Sequence, residues 1–226
     1  HAHPEVSLHT PSLAAYVDCL DRGDRQGVAE LMLASAHKLA GMGADFLICP
    51  DNTIHQAFDL VAARSPRPWL HIAEVVAAEA AQRGFQRLGL TGTRWLVESE
   101  VYPEKLAALG LQYLRPSQTE RDEINRIIMS ELVYGMFTPQ GTAYFEQVIA
   151  RLKTEGCDAV VLGCTEIPLI ISDAAPMRKA KLGEKWDPVK KIGADGTIGI
   201  DPAAGQIAAS SPPIVVGNVL IVGNSS

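Results

Sequence analysis

The sequence lacks long apolar runs, a cysteine pair at metal-ligand spacing and a strong charge of either sign. The longest apolar stretches among its 226 residues are short and interrupted by Gly or Pro, so no transmembrane helix is predicted. The four cysteines form no CxxC motif and have no histidine at metal-ligand spacing, which predicts no metal site and is typical of cytosolic thiols. A formal net charge of -6 argues against nucleic acid as the main partner. We expect a cytoplasmic protein that binds neither membrane nor nucleic acid.

Sequence signals for secretion and for a bound cofactor are also missing. The chain opens on His1-Ala-His-Pro, with neither a basic start nor an apolar core, so no signal peptide is predicted. Without an initiating Met, we expect that the beginning of the protein is missing. There is no Walker-type loop or GxGxxG motif in a suitable context, and no Lys follows a predicted strand, where a pyridoxal phosphate Schiff base would need it. The chemistry is therefore predicted to need no cofactor.

Short apolar runs alternate with helical patterns as far as residue 172. The predicted strands are Val6–His9, Asp45–Cys49, Trp69–Ile72, Arg87–Leu90, Gln112–Leu114 and Asp158–Leu162. The predicted helices cover about 25–42, 53–63, 73–83, 95–109, 119–134 and 140–155. This alternation predicts a doubly wound α/β fold with parallel strands. In such a fold the ligand binds beyond the carboxyl ends of the strands.

Two segments, 38–53 and 151–166, have the pattern of one duplicated unit. Without a gap, Leu39 coincides with Leu152, Gly43 with Gly156 and Asp45 with Asp158. Each segment contains a helix end with a capping Gly followed by a short apolar strand. The same register places Asp51 opposite Cys164 and Asn52 opposite Thr165. Two related strand-to-helix turns that each present a reactive side chain predict a site between two half-domains.

Cys164 and Asp51 are the candidate reactive groups. Cys164 follows a predicted strand and precedes a predicted helix start, where free N–H groups lower the pKa of a thiol. Cys19 and Cys157, in contrast, have the pattern of buried structural thiols. Asp51 taken alone fits a helix N-cap, but its position opposite Cys164 favours a functional role.

Thr91-Gly-Thr93 is a third junction between a predicted strand and a helix, and it carries two hydroxyl groups. Three helix starts at one edge of a sheet suit a small carboxylate ligand, because free N–H groups bind anions. His9, His55 and His71 lack metal-ligand spacing, and we expect them to cap helices or to support the site.

Leu162-Gly-Cys-Thr-Glu-Ile167 and Asp51-Asn-Thr-Ile-His55 resemble the paired signatures of the aspartate/glutamate racemase superfamily. Gly89-Leu-Thr-Gly-Thr93 and Ser7-Leu-His-Thr-Pro-Ser12 are similar to its accessory substrate loops, and the resemblance covers about residues 4–173. It implies two pseudo-symmetric, doubly wound lobes with the active site in the cleft between them, usually in a homodimer. It also implies proton transfer at the α-carbon of an acidic amino acid without pyridoxal phosphate.

The chain departs from this family pattern in the site and at both ends. Two cysteines commonly face each other in the family, but here Asp51 takes the first position and Cys49 lies two residues earlier. An ordinary Asp, with a pKa of ~3.9 against ~8.5 for a thiol, is the weaker base. Asp51 would need burial to raise its pKa, or the strong base would have to work on one face of the substrate alone. The opening strand with its Gly-rich loop, expected before His1, and the closing segment expected after Asp173 have no counterpart in the sequence.

The composition changes after residue 173. Residues 177–191 are rich in Lys, and from Gly193 the chain is rich in Gly, Ser and Pro, with β-type runs at 197–200 and 214–222. Residues 195–226 resemble part of a quinoprotein-dehydrogenase propeller blade, and a single blade cannot fold as a propeller or hold a quinone. We interpret 1–173 as an N-terminally truncated racemase-like domain and 174–226 as an unrelated, β-rich tail that is not an independent domain.

The main hypothesis is a cofactor-independent racemase for aspartate, glutamate or a close analogue, with Cys164 and Asp51 as acid–base groups on opposite faces of the substrate. A decarboxylase or cis–trans isomerase of the same superfamily, using Cys164 alone, is the enzymatic alternative. The alternative from another class is an inactive fragment or a protein that only binds a dicarboxylate. The candidate substrate-binding residues are Ser12, Asn52, Thr53, Thr91, Thr93 and Thr165 for the carboxylates and Glu166 for the ammonium group.

Overall fold

The computed structural model describes residues 6–171 and, beyond them, only the backbone of four short strands. The strands between residues 6 and 171 are β1 (Leu47–Ile48), β2 (Trp69–Leu70), β3 (Arg87–Thr91), β4 (Gln112–Leu114) and β5 (Ala159–Leu162). The α-helices are α1 (Leu13–Asp21), α2 (Arg25–Gly41), α3 (Phe58–Ala62), α4 (Ile72–Gln82), α5 (Arg94–Val97), α6 (Val101–Ala108), α7 (Gln118–Ser130), α8 (Pro139–Thr154) and α9 (Ile167–Ile170). Two 3-10 helices, Thr53–Ala57 and Leu132–Tyr134, complete these elements.

The strands of residues 6–171 pair in parallel. β1 pairs with β2, whereas β3 lies between β4 and β5 in a second sheet. Parallel strands need crossover connections, and helices supply them here. The predicted α/β fold with parallel sheets is confirmed.

Local sequence explains where the longer helices begin and end. Ser117 and Glu120 form a capping box at the start of α7, and the Thr138 hydroxyl accepts from the backbone N–H of Gly141 at the start of α8. Gly43 and Gly156 follow the ends of α2 and α8 with φ angles of 93° and 92°. This left-handed conformation favours glycine, so the two glycines aligned in the sequence perform the same local task.

The core lies on both faces of β5. Ala159 and Val161 pack with α4 and α6, while Val160 and Leu162 pack with α7 and α8. All four side chains are buried, as expected for a parallel strand covered by helices on both sides. Burial of one Val or Leu side chain stabilises the fold by roughly 1.5–3 kcal/mol. A third cluster, formed by α1, α2 and α3, packs beside the 3-10 helix at Thr53–Ala57.

The strand predicted at Val6–His9 is wrong, and a helix was missed next to it. Residues 6–12 form no regular element, and the Val6 and Leu8 side chains are 82% and 77% exposed. Alternating apolar residues form a strand only where a neighbouring strand can pair with them. The His9 ring instead lies 3.0 Å from the Ser35 hydroxyl, and α1 follows directly at Leu13.

The single helix predicted over 95–109 is divided into α5 and α6. Ser99 lies between them, and its hydroxyl donates to the carbonyl of Leu96. The Arg115 guanidinium binds the carbonyls of Val97 and Ser99 at 2.6 and 2.9 Å. These side-chain contacts replace hydrogen bonds that a continuous helix would make.

The described strands beyond residue 171 are β6 (Lys191–Ile192), β7 (Ile198–Gly199), β8 (Ile214–Val216) and β9 (Val219–Gly223). β8 and β9 form a hairpin, and β9 pairs antiparallel with β5, so that the sheet order is β4-β3-β5-β9-β8. Apart from the backbone of these strands, the residues with the propeller resemblance, 195–226, and the domain boundary at 173 lie outside the described part of the chain. None of the described helices is long and apolar enough to cross a membrane.

Candidate active site

A cavity of about 90 Å³ lies where the turns after β1, β3 and β5 meet. Seven of the nine residues selected from the sequence line it: Asp51, Asn52, Thr53, Thr93, Cys164, Thr165 and Glu166. The register of the parallel strands explains part of this convergence, since Thr91 at the end of β3 is opposite Leu162 at the end of β5. The structure therefore places Asp51 and Cys164, from two distant segments, on the wall of one cavity.

Gly163 allows the turns after β3 and β5 to approach each other. Its N–H donates to the carbonyl of Thr91 at 2.9 Å. A Cβ atom at residue 163 would lie only 2.5 Å from that carbonyl oxygen. Any larger residue would separate the two turns and move Cys164, which follows directly.

Asp51 caps the 3-10 helix that starts at Thr53. Its Oδ1 accepts from the backbone N–H groups of Thr53 and Ile54 at 2.8 and 3.4 Å. Burial raises the pKa of Asp51 above its ordinary value, although these two hydrogen bonds oppose the shift. A carboxylate with a raised pKa is a stronger base than an ordinary Asp, so the cap and a chemical role are compatible.

The Cys164 thiol donates a hydrogen bond to Oε2 of Glu166 over 2.9 Å. Burial, followed by the negative charge of Glu166, raises the pKa of Cys164 well above its ordinary value. The expectation that a helix N-terminus would lower this pKa is therefore wrong. The helix that follows, α9, is a single turn of four residues, and burial outweighs the effect of its N-terminus.

Asn52 lines the cavity and has a buried hydrogen-bond donor without a partner among the described residues. Its side chain is buried, and Oδ1 accepts from the Tyr102 hydroxyl at 2.6 Å. Its Nδ2 group finds no hydrogen-bond partner within the described part of the chain. A buried donor without a partner costs roughly 1–3 kcal/mol, so an acceptor on a ligand would stabilise it.

The hydroxyl groups of Thr53 and Thr93 lie 3.0 Å apart and link the turns after β1 and β3. Thr91 differs, because its hydroxyl donates to the carbonyl of Val161 at 2.7 Å inside the sheet and the residue does not line the cavity. Ser12 is exposed at the start of α1 and does not line the cavity either. Their predicted contact with a substrate has no geometric support.

Cys49 does not line the cavity. Its thiol donates to the backbone carbonyl of Asp51 over 3.7 Å, and burial raises the pKa of Cys49 to about 12. Between the two candidates for the second acid–base group, Asp51 is thus the one with access to the cavity.

Sequence reasoning missed the cavity wall formed by α1 and by the end of α7. The residues of this wall, apart from Trp95 directly after the Thr93 motif, belong to no motif in the sequence. Helix α1 itself was not predicted. The residues missed are Leu13, Tyr16, Val17, Leu20, Trp95, Ile128, Met129 and Val133.

The Asp/Glu/Hydantoin racemase family model matches residues 1–182. The chain belongs to this family. It is 31% identical to a candidate Asp/Glu racemase from Yersinia pestis of known crystal structure, with a TM-score of 0.66 over 74% of this chain and 73% of that one. An aspartate racemase homologue from Pyrococcus horikoshii is 27% identical, with a TM-score of 0.65 over 77% and 76% of the two chains.

Among curated relatives, the glutamate racemase of Desulforudis audaxviator is 24% identical over 174 residues, which are 76% of this chain and 57% of that enzyme. The chain therefore spans little more than half of this relative. In this family member, Cys164 is the only thiol among the described residues that line the cavity, and Asp51 and Glu166 add two carboxyl groups.

Proposed function

We propose that the chain is a racemase for aspartate, glutamate or a close analogue that works without pyridoxal phosphate, with Asp51 and Cys164 as its acid–base pair. The observation that carries this proposal is the shared cavity. A carboxyl group and a thiol, both with pKa values raised first by burial, line the same small space. Racemisation needs such a base and such an acid at one carbon atom.

The resting protein holds a thiol at Cys164, because burial and Glu166 both disfavour the thiolate. Asp51 in its carboxylate form removes the α-proton from the enantiomer that presents this proton to it. The Cys164 thiol then donates its proton to the opposite face of the carbanion. This step leaves a protonated Asp51 and a thiolate, and the same path in reverse converts the other enantiomer.

The substrate carboxylates bind to donors that the cavity supplies. The free Nδ2 group of Asn52 and the paired hydroxyls of Thr53 and Thr93 are the main groups, with Thr165 beside Cys164. Glu166 binds the ammonium group through the oxygen atom that does not accept from the thiol.

The proposal extends to the architecture of the site. Asp51 follows a strand of the small sheet and Cys164 follows a strand of the larger one, which supports two pseudo-symmetric lobes around a cleft. The racemase domain covers 1–173 in this proposal, and 174–226 is an added tail. A cytoplasmic homodimer is the proposed state, on the basis of the family resemblance.

Deuterium exchange tests the function directly. The protein is incubated with L-aspartate or L-glutamate in D₂O, and NMR follows loss of the α-proton while chiral chromatography follows the D-enantiomer. A racemase gives both signals. Neither signal with any acidic amino acid, in a sample that binds dicarboxylates, would refute the racemase and leave a binding protein or an enzyme that uses one thiol.

A decarboxylase or isomerase that uses one thiol is the second candidate, because Cys164 is the only thiol among the described lining residues. A substituted malonate or a cis-dicarboxylate is then the appropriate substrate. Release of CO₂ or formation of the trans isomer, without α-exchange of amino acids, would favour this candidate.

A further inference from the structure

A second, larger cavity of about 590 Å³ is lined by His55 and Gln56 of the 3-10 helix whose first residue, Thr53, lines the first cavity. Small-molecule sites commonly have volumes of ~300–1,000 Å³, aromatic walls and a few well-placed polar groups. No known property of the chain accounts for this cavity. Its described lining residues are Arg25, His55, Gln56, Phe58, Asp59, His71, Ser99, Glu100, Val101, Glu104 and Lys105.

Three rings form one wall of the second cavity. The rings of His55 and Phe58 are stacked, with centroids 5.8 Å apart and an interplanar angle of 11°. The ring of His71 lies edge-on to both, at 4.8 and 4.7 Å. Aromatic rings bind other aromatic rings in stacked and edge-on arrangements, so this wall suits a planar ring.

His71 supplies a ring N–H donor at the wall of the second cavity. Its Nδ1 accepts from the backbone N–H of Ala73 at 3.2 Å, so a neutral ring carries its proton on Nε2. Burial, and then the charge of Lys105, lower the pKa of His71 to about 4, which keeps the ring neutral at pH 7. The residue is 4% exposed, and Nε2 is not among the fully buried polar atoms without a partner in the described part of the chain, so Nε2–H is available to a ligand in the cavity. A ligand acceptor atom next to this ring would complete its hydrogen bonds.

The charges around the second cavity are mixed and largely paired. Arg25 binds Asp59 at 2.6 Å, and Lys105 binds Glu74, which lies outside the lining, at 2.6 Å. Glu100 also has a partner, Arg115, at 3.0 Å. Because most of these charges are already compensated, a neutral ligand is favoured over a strong anion or cation.

His55 connects the second cavity to the candidate active site. Its Nδ1 donates to the backbone carbonyl of Asp51 at 2.7 Å, and its Nε2 accepts from the N–H of Ile72 at 3.4 Å. One edge of this ring therefore holds the backbone of the proposed base, while the ring itself lines the second cavity. A ligand that moves His55 or Phe58 would shift Asp51.

We propose that the second cavity is a regulatory binding site for a neutral, planar aromatic molecule with a carbonyl or ring-nitrogen acceptor. The acceptor binds Nε2–H of His71, and the ring packs against Phe58. Occupation of this site changes the position of Asp51 through His55. Binding does not depend on the proposed racemase function, whereas the effect on turnover does.

Benzamide is the first probe, because it combines an aromatic ring with a carbonyl acceptor. Cyclohexanecarboxamide is the matched control ligand, with the acceptor but without the aromatic ring. Trp69 reports binding, since its ring contacts Phe58 edge-on at 6.2 Å. The Trp95→Phe/Trp186→Phe variant leaves Trp69 as the only one of the three tryptophans. We expect a saturable change in Trp69 fluorescence with benzamide and no such change with cyclohexanecarboxamide.

Two variants locate the site. His71→Asn keeps an acceptor for the N–H of Ala73 and removes the donating ring, and Phe58→Leu removes the packing surface. Each should weaken benzamide binding by about tenfold, the effect of losing roughly one good contact. Melting curves check that both variants fold, and Cys164→Ala is the control for binding in the first cavity. The proposal would be overturned if both variants bound benzamide as tightly as the unaltered chain does, or if only Cys164→Ala lost binding.

Turnover measurements separate binding in the second cavity from the proposed effect of this binding on Asp51. In the unaltered chain, saturating benzamide should change the rate of α-deuterium exchange, and His71→Asn should remove this effect. Benzamide binding with unchanged exchange would refute regulation through His55. If no acidic amino acid exchanges at all, the racemase proposal fails, while the fluorescence titration still decides whether the second cavity binds the probe.

Discussion

The thiol of Cys164 donates its hydrogen bond to the carboxylate of Glu166, two residues later and 2.9 Å away. This pairing stabilises the thiol and disfavours the thiolate, which is the opposite of the usual activation of a nucleophilic cysteine by a nearby positive charge. Asp51 lines the same cavity, so a neutral thiol and a carboxyl group share this space. In the proposed racemase, they are the acid and the base of the first proton transfer.

Glu166→Gln should lower the pKa of Cys164, because the substitution removes a negative charge and keeps an acceptor for the thiol. The rate of iodoacetamide labelling of Cys164, followed by mass spectrometry from pH 6 to pH 11, should rise at lower pH than in the unaltered chain. Asp122→Asn, on the exposed surface of α7, is the control with an unchanged profile. An unchanged profile in Glu166→Gln would mean that the carboxylate does not influence this thiol.

Cys164→Ala should reduce the rate of racemisation by a factor of ~10²–10⁴ or more, because ~10²–10⁴ is the usual contribution of a general acid–base group. Cys49→Ala is the matched control, since Cys49 does not line the cavity. Full activity in Cys164→Ala contradicts the site, and loss of activity in Cys49→Ala with an intact fold would make Cys49 the second acid–base group.

A bound dicarboxylate should slow the alkylation of Cys164, because both would occupy the same cavity of about 90 Å³. The measurement compares iodoacetamide labelling with and without a saturating dicarboxylate, with Cys19 as an internal reference outside the cavity. Equal labelling of Cys164 in the two samples would remove the main support for binding next to the thiol.

Asp51→Asn should separate the two half-reactions. Asn keeps an oxygen for the N–H of Thr53 and so preserves the cap, but it cannot act as a base. We expect loss of racemisation, with α-deuterium exchange surviving only for the enantiomer that faces Cys164 and only at a pH high enough to ionise this thiol. Asp51→Cys should place two similar groups at the site and bring the kcat values for the L- and D-enantiomers closer together. The kcat/KM values of the two enantiomers are equal in any case, because the enantiomers have equal free energy. If Asp51→Ala racemises at the normal rate, Asp51 is only a cap.

Lowering the pH below about 6.5 should destabilise the fold through His55 and His71. Burial is the first cause that lowers their pKa values, to about 3 and about 4, so both rings stay neutral in the folded chain and gain protons only on unfolding. The unfolded state then binds more protons, and the free energy of unfolding should fall by about 1–3 kcal/mol between pH 7.5 and pH 5.5. Urea unfolding at the two pH values measures this difference. His71→Asn should reduce the dependence on pH, and an equal dependence would mean that His71 titrates normally in the fold.

The sequence alone was sufficient for the α/β class and for most of the candidate site. The carboxyl ends of parallel strands lie at one edge of a sheet, so polar residues after β3 and β5 had to converge once the strands were recognised. Asp51 follows β1 of the other sheet, and its approach was predicted from the duplicated pattern of 38–53 and 151–166. Asp51, Thr93 and Cys164 were found in this way, because their signal is local: a short apolar run followed by a polar helix start. The strand signal at Val6–His9 failed because pairing with a neighbour is not a local property.

Only the tertiary structure decided the protonation of the site and the shape of its surroundings. Burial against α7, which is distant in sequence from Cys164, contributes to a pKa that the adjacent helix start alone would have lowered. The side chain of Thr91 bonds within the sheet rather than at the cavity, which the motif could not reveal. The second cavity combines segments around Arg25, His55, His71 and Lys105, and no pattern along the chain brings them together. Solvent exclusion and the direction of a side chain depend on packing between distant segments, and this is why they were beyond the reach of the sequence.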